Sequence, residues 1–413
     1  MERTTCLVVG GGPAGMVLGL LLARSGVEVT VLEKHGDFLR DFRGDTVHPT
    51  TLQLLDDLGL AERFAELPQR RLDKVQLPLG PDGELFTMGD FTKLSIKYNY
   101  IAMVPQWDLL DMLAEAGEAE PTFTLRMNTE ATELIRENGR VNGVRYRTSS
   151  GERGELRSTI TVACDGRKSF ARDLPELGLR DFPTPMDVQW FQVPREPQDP
   201  SGAIGSIRDG RFLVQIDRGD YFQMAAVIEK DSDKSERERP IAEFNSALVR
   251  QVPWLAGREL VPSWDDVRVL HVTLDRLRKW HAPGLLCIGD AAHAMSPVGG
   301  IGINLAVQDA VAAARHLAEP LRRGRLRRRH VASIQWRRWP TTALMQRLQR
   351  IVHDNVVDPA LRGEIDFGRS AQLPLPVRLV NRLPFLRRFP PYVLAYGAVR
   401  ERPPRTALAE ERA

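Results

Sequence analysis

An apolar strand, a glycine-rich turn and an apolar helix open the chain. Two more strand–glycine motifs follow near residues 165 and 290, and apolar and polar residues alternate between them, from about 180 to 264. These observations predict an α/β fold: a Rossmann-like nucleotide-binding domain built from discontinuous segments, an inserted antiparallel β-sheet domain, and a C-terminal helical region.

The elements follow in order. Residues 4–9 form a short β-branched apolar run, a buried strand, before Gly10-Gly11-Gly12-Pro13-Ala14-Gly15. Residues 16–23 are continuously apolar in helical pattern and stop at Ser25-Gly26. Residues 27–32 read as a second buried strand, closed by Glu33 and Lys34. Strand, turn, helix and strand within about thirty residues make a βαβ unit with a parallel strand pair. A helix is predicted over 49–60, ending at Gly59, then short strands over 72–103 broken by Pro81-Asp82-Gly83. An amphipathic helix over 106–116 precedes a meander of strands over 122–162. Alternation over 187–193, 212–216 and 221–228, with a hairpin turn at Arg218-Gly219-Asp220, predicts an antiparallel sheet with one face covered and one facing a pocket. A helix over 241–252, a buried strand over 284–288 and a long apolar helix over 301–317 follow. An arginine-rich helix and a proline-interrupted tail end the chain. The expected domains are 1–72 with 99–180 and 265–320, then 73–98 with 181–264, then 321–413.

Composition narrows the class. Hydrophobic residues are 42% and charged residues 27%, as in globular proteins, which argues against disordered and fibrous architectures. The 57 basic and 54 acidic residues leave a net charge of +3, so neither nucleic acid nor a membrane surface is called for. Cys6, Cys164 and Cys287 are far apart, odd in number and set in apolar runs. They are expected to be buried thiols in a cytoplasmic protein, with no disulfide and no metal. No signal-peptide layout or transmembrane segment is expected.

Three glycine-containing sites carry the chemistry. In the first, Gly10 permits the tight turn, Gly12 lets backbone approach a pyrophosphate, and Gly15 lets helix and strand pack closely. Pro13 and Ala14 open a helix whose N-terminus presents N–H groups to phosphate. Glu33, about twenty residues on, is placed to accept from a ribose hydroxyl. The second site is Cys164-Asp165-Gly166-Arg167-Lys168-Ser169 with Arg172. The third is Gly289-Asp290-Ala291-Ala292-His293, then Pro297 and Gly299-Gly300-Ile301-Gly302-Ile303-Asn304. A strand ending in Gly-Asp offers a carboxylate to a polyol chain. A glycine run entering a helix offers backbone donors to a ring that becomes anionic on reduction.

With these motifs in this order, the chain resembles the FAD-dependent aromatic hydroxylases, the group A flavoprotein monooxygenases with the para-hydroxybenzoate hydroxylase (GR2-type) fold. The resemblance runs from residue 10 to the helix after Asn304. It implies that Asp290 contacts the FAD ribityl chain, and that Asp165 and Gly166 serve FAD binding and the approach of NAD(P)H. It also places Arg43 in a mobile loop near FAD and Gln106 against the ribityl or adenosine part. Pro297 and the backbone from Gly300 to Asn304, including Gly302 and Ile303, correspond to the wall lining the isoalloxazine, where a C4a-hydroperoxide forms. Two departures stand: Met295-Ser296-Pro297 replaces a pair of prolines, and no thioredoxin-like C-terminal domain follows.

The activity implied is NAD(P)H- and O₂-dependent hydroxylation or epoxidation, with no catalytic side chain named because the chemistry is borne by the flavin. Trp190, Gln215, Tyr221 and Gln223 are candidate substrate contacts. Aromatics and glutamines with few charges suit a neutral, polycyclic or polyketide-like ligand. His48 is read as a solvated loop residue and His293 as a packing residue. A reductase or dehydrogenase acting on a C=C bond or alcohol keeps the same motifs and stays open. The spacing Trp336-Arg337-Arg338-Trp339-Pro340 does not match a flavin halogenase. The arginines of 322–329 are read as a solvated face between helices. Monomer and homodimer both stay open.

Overall fold

The computed structural model of the chain describes residues 2–39, 46–79, 84–200, 202–366, 392 and 399–409. An eight-stranded mixed sheet forms its centre. Strand Glu2–Val9 runs parallel to Val29–Leu32 on one side and to Arg153–Ala163 on the other. Phe123–Arg126 extends the sheet beyond Val29–Leu32, and Leu285–Cys287 extends it beyond Arg153–Ala163, again in parallel. The expected meander is therefore divided: Phe123–Arg126 joins the parallel set, while Thr129–Glu137 and Arg140–Thr148 add antiparallel strands along the first part of Arg153–Ala163.

Helix α1 (Pro13–Arg24) is buried from Ala14 to Ala23, as a helix without a polar stripe must be. Leu18, Leu20, Leu21 and Leu22 are wholly enclosed, each burial worth about 1.5–3 kcal/mol. The helix expected over 49–60 ends at Asp57 as α2 (Pro49–Asp57), and α3 (Ala61–Glu66) follows it. Helix α4 (Gln106–Glu118) packs beside α1.

The second sheet has seven strands in the order Arg268–Leu270, Met186–Pro194, Tyr221–Glu229, Arg211–Asp217, Ala203–Arg208, Lys74–Leu79 and Glu84–Asp90. Arg268–Leu270 lies past the expected boundary at 264 and still pairs with Met186–Pro194. Short α5 (Asp233–Arg237) leads into α6 (Ile241–Gln251), whose Phe244 and Leu248 pack on Phe191, Val193, Leu213 and Met224. The other face, with Val188, Trp190, Val214 and Ala225, meets Val298, Val352 and Val357.

Helix α7 (Gly302–Arg322) packs on α1 and on α8 (Arg328–Val352). A π-helical turn, His353–Val357, and α9 (Asp358–Leu361) carry the chain onto the second sheet. Residues 399–409 return to the first domain, where Ala407 is buried against α1. Arg322 and Arg323 pair with Glu319 at the exposed turn between α7 and α8. The turn at 81–83 lies outside the described residues, as does all of the tail over 373–396 except Tyr392. Among the described residues no helix is long and apolar enough to cross a membrane.

Candidate cofactor and active site

Strand register brings the three motifs together. Val9 pairs with both Leu32 and Ala163, and Ala163 pairs with Cys287. The chain therefore leaves the sheet at Gly10, Glu33, Cys164 and Ile288 along one carboxyl edge, where ligand crevices of α/β sheets lie. Gly10, at φ +103°, has the Cys164 carbonyl oxygen only 2.6 Å from where a Cβ would stand. At Gly15 a Cβ would lie 1.9 Å from the Gly10 oxygen, so only glycine lets α1 seat on the turn. Gly12 differs: its Cβ direction opens into free space, and as N-cap of α1 it has neither a capping side chain nor an acid in the following turn. That cradle, lined by unpartnered helix N–H groups, suits a pyrophosphate.

Glu33 is buried and accepts from the Gly11 amide at 2.9 Å and the His35 amide at 3.1 Å, bracing the loop. Lys34 is exposed beside it. Asp165 is half-buried, yet its Oδ1 is enclosed and has no hydrogen-bond partner among the described residues. Burial pushes its carboxyl up to about 6, against the hydrogen bond from Ser169 and the field of Lys34. An orphaned buried acceptor costs about 1–3 kcal/mol, which a ligand hydroxyl would offset. The Asp290 side chain is 39% exposed, with Arg167 Nε at 3.9 Å. Enclosure in the crevice raises its carboxyl pKa, and Arg167 draws it back.

A buried ion pair ties the second and third motifs. Arg172 pairs with Asp275, and its Nη1 donates to the Arg167 carbonyl at 2.8 Å and the Asp290 carbonyl at 3.4 Å. Asp275 also accepts from the Ala294 amide at 3.2 Å. Asp309 is fully buried and accepts from the Gly289 amide at 3.1 Å, His293 Nε2 at 2.6 Å and Arg338 Nε at 2.7 Å. Arg338 also faces Glu401 at 3.3 Å. Sequence reasoning missed Asp275, Asp309, Arg338 and Glu401. Asp309 and Arg338 carry a signal, a charge set in an apolar helical stripe: Ile334, Arg338, Thr341 and Met345 are all buried in α8, and Asp309 is buried among alanines and valines of α7.

His48 is wholly buried and bonds the Gly300 carbonyl through Nε2 at 3.0 Å, which corrects its reading as a solvated loop residue. Thr46 donates to the same oxygen at 2.8 Å. Thr50 and Thr51 donate to Asn304 Oδ1 at 2.7 and 3.2 Å, fixing the start of α7 behind Gly302 and Ile303. Gln106 opens α4, half-buried. Arg43 lies outside the described residues.

On the second sheet, Trp190 pairs with Ala225 and Gln192 with Gln223. Trp190, Tyr221 and Gln223 therefore share the face that meets Val298. Gln215 pairs with Met224 and so lies on the opposite face, packed toward α6, a correction to its placement with the other three. Gln223 accepts from Arg218 at 3.0 Å. The Trp190 indole N–H is enclosed with no partner among the described residues. A crevice of about 390 Å³ lined by Arg211, Arg250, Phe244 and Trp264 lies behind α6, away from this site.

Comparison with known proteins agrees with this geometry. The family described as FAD binding domain matches residues 3–348. The chain is 34% identical over 391 residues to 6-methylpretetramide 4-monooxygenase of Streptomyces rimosus, covering 93% of this chain and 90% of that protein. Three more distant relatives are longer, and the chain spans 60–63% of their length. The fold is that of PqsL from Pseudomonas aeruginosa (TM-score 0.74, 20% identity, 88% and 99% of the two chains). OxyS anhydrotetracycline hydroxylase from S. rimosus also shares it (TM-score 0.72, 22% identity, 95% and 76%). The extent of the family match and the 34% relative establish that this chain belongs to the FAD-binding family of group A flavoprotein monooxygenases, with the para-hydroxybenzoate hydroxylase fold.

Proposed function

We propose that the protein is an FAD-dependent monooxygenase that uses NAD(P)H and O₂ to hydroxylate or epoxidise an aromatic, polyketide-like small molecule. The observation that carries this is the convergence of the three motifs on one sheet edge, directly beside an apolar sheet face. Names of relatives point the same way: 6-methylpretetramide 4-monooxygenase, 12-dehydrotetracycline 5-monooxygenase/anhydrotetracycline 6-monooxygenase and protoasukamycin 4-monooxygenase.

Bound FAD supplies hydride acceptance and oxygen activation. The chain's own residues bind, orient and exclude water. Gly10, Gly12, Pro13, Ala14 and Gly15 cradle the pyrophosphate, and Glu33, Lys34 and Gln106 flank the adenosine and ribityl parts. Asp165, with its orphaned oxygen, Gly166 and the Gly289-Asp290 turn receive cofactor hydroxyls. Pro297 and the backbone of Gly300, Gly302, Ile303 and Asn304 line the ring, the helix N-terminus of α7 favouring negative charge there. Trp190, Tyr221 and Gln223 face a neutral, polycyclic substrate across Val298. The free thiols of Cys6, Cys164 and Cys287 support a reducing, cytoplasmic setting.

The test is incubation with NADH or NADPH, labelled dioxygen and a panel of phenolic polyketides. One labelled oxygen atom in the product is the expected result. Products changed only by two hydrogens would replace this reading with the reductase or dehydrogenase one.

A further inference from the structure

Residues 294–298 cross between the Gly289-Asp290 turn and α7 without belonging to a strand. The Asp275 amide of strand Leu274–Leu277 donates to the Ala294 carbonyl at 3.3 Å, and beyond that point side chains serve the backbone at alternate residues. The Ala294 amide donates to Asp275, and its carbonyl accepts from Gln346 Nε2 at 3.1 Å. Ser296 donates its amide to Gln349 Oε1 at 3.2 Å and accepts from Gln349 Nε2 at 2.8 Å. The Val298 carbonyl accepts from the same Nε2 at 2.8 Å, and its amide donates to Ser296 Oγ at 3.3 Å. Gln349 thus takes the place of a neighbouring strand, with both amide groups committed.

Ser296 Oγ lies 2.8 Å from His353 Nε2. That hydroxyl accepts from Val298 and still has a proton and a second lone pair, so it bonds the His353 ring in either tautomer. Burial lowers the His353 pKa and keeps the ring neutral. Positions 346, 349 and 353 recur at helical spacing, on one face of α8 and the π-helical turn that follows it. All three are at most 3% exposed. Pro297, between the two clasped residues, is left half-exposed.

We propose that Gln349 and His353 are positioning residues which, through Ser296, set where Pro297 and Val298 stand against the flavin ring. The inference rests on the assignment of Pro297 to the flavin wall. The experiment uses the FAD-loaded protein and Gln349→Met, His353→Leu, His353→Gln and Ser296→Ala. Three properties are read: the visible spectrum of bound FAD, amide exchange over 294–300, and the rate at which photoreduced flavin returns to the oxidised form under O₂. His353→Leu and Ser296→Ala are expected to shift the spectrum. They should also change exchange and reoxidation about tenfold, the factor set by about 1.4 kcal/mol for one lost buried hydrogen bond. His353→Gln, whose amide reaches the Nε2 position, restores wild-type values. Ser296→Ala, which removes one hydroxyl, decides the matter if His353→Leu does not fold. Wild-type spectra and reoxidation in Ser296→Ala and Gln349→Met, with FAD retained, would overturn the inference even if exchange quickens. Pro297→Ala separates the failures: if it too is spectrally silent, the wall assignment falls and this inference with it.

Discussion

Asp309→Asn tests whether the buried charges behind Gly289 hold the cofactor turn or merely fill space. Asp309 takes three donors, from Gly289, His293 and Arg338, and none of its surface reaches water. An amide has one acceptor oxygen and one N–H₂ group, so at least one donor would meet another donor. Breaking a buried ion pair costs about 3–5 kcal/mol. Arg338 keeps Glu401 at 3.3 Å, so the lower end, about 3 kcal/mol, is expected. Because Gly289 would lose its anchor, FAD affinity should fall as well, by about tenfold for one buried hydrogen bond. The pH dependence is a second handle. Burial pushes the Asp309 carboxyl up, but His293 and Arg338 outweigh it and hold the pKa below the ordinary value. A depressed carboxylate contributes its stability above the unfolded value of about 3.9 and loses it as pH falls through the folded value. The deficit of the variant should therefore be level from about pH 5 to 8 and shrink only below about pH 4. Urea unfolding of FAD-saturated protein across that range, with FAD binding by fluorescence quenching, measures both effects. A variant within about 1 kcal/mol of wild type at neutral pH, binding FAD normally, would refute the reasoning.

Gly12→Ala should leave folding intact, because nothing stands within 4 Å of the added Cβ, yet weaken FAD binding by about 10- to 100-fold, one charged hydrogen bond's worth. Gly15→Ala should instead unfold the domain, since its Cβ would meet the Gly10 oxygen at 1.9 Å; equal melting temperatures for the two variants would contradict both expectations. Asp165→Asn should stabilise FAD-free protein more at about pH 7.5 than at about pH 4.5. The folded carboxyl titrates at about 6, above its unfolded value, so its burial penalty is full above that pH and fades toward about 4. A pH-independent difference in denaturation would show that Asp165 is ordinary. Trp190→Phe removes an orphaned N–H, so thermal stability should hold or rise by about 1 kcal/mol while the substrate KM increases about tenfold. An unchanged KM would take Trp190 out of substrate recognition.

The cofactor edge was legible in the sequence because each requirement there is local. A strand, a glycine that must pass another backbone, and a helix start all fall within a dozen residues. What stayed hidden depends on partners far along the chain. His48 reads as a loop residue until Gly300, 252 positions away, is seen to accept from it. Nothing near Gln346 and Gln349 in the sequence shows that their amides serve the backbone of residues 294–298, about fifty positions earlier. Gln215 illustrates a different gap. Alternation assigns each strand two faces, but the connection between Asp217 and Phe222 pairs odd-numbered with even-numbered residues. Gln215 and Gln223, both odd, must then face opposite ways. Reading the hairpin register would have separated them.

The return of residues 399–409 bears on how the protein is made. Thr406 bonds Ser25 across 381 positions, and Glu401 completes the buried ring of charges behind Gly289. During synthesis, the first βαβ unit emerges hundreds of residues before the chain that locks its cofactor turn. Such long-range closure slows folding and prolongs the lifetime of partly assembled states. A nascent chain can shape the phosphate cradle early, but the turn behind it stays unlocked until residues 399–409 have emerged. FAD supplied during expression should thus raise the yield of soluble protein mainly by capturing chains in which residues 399–409 have already docked.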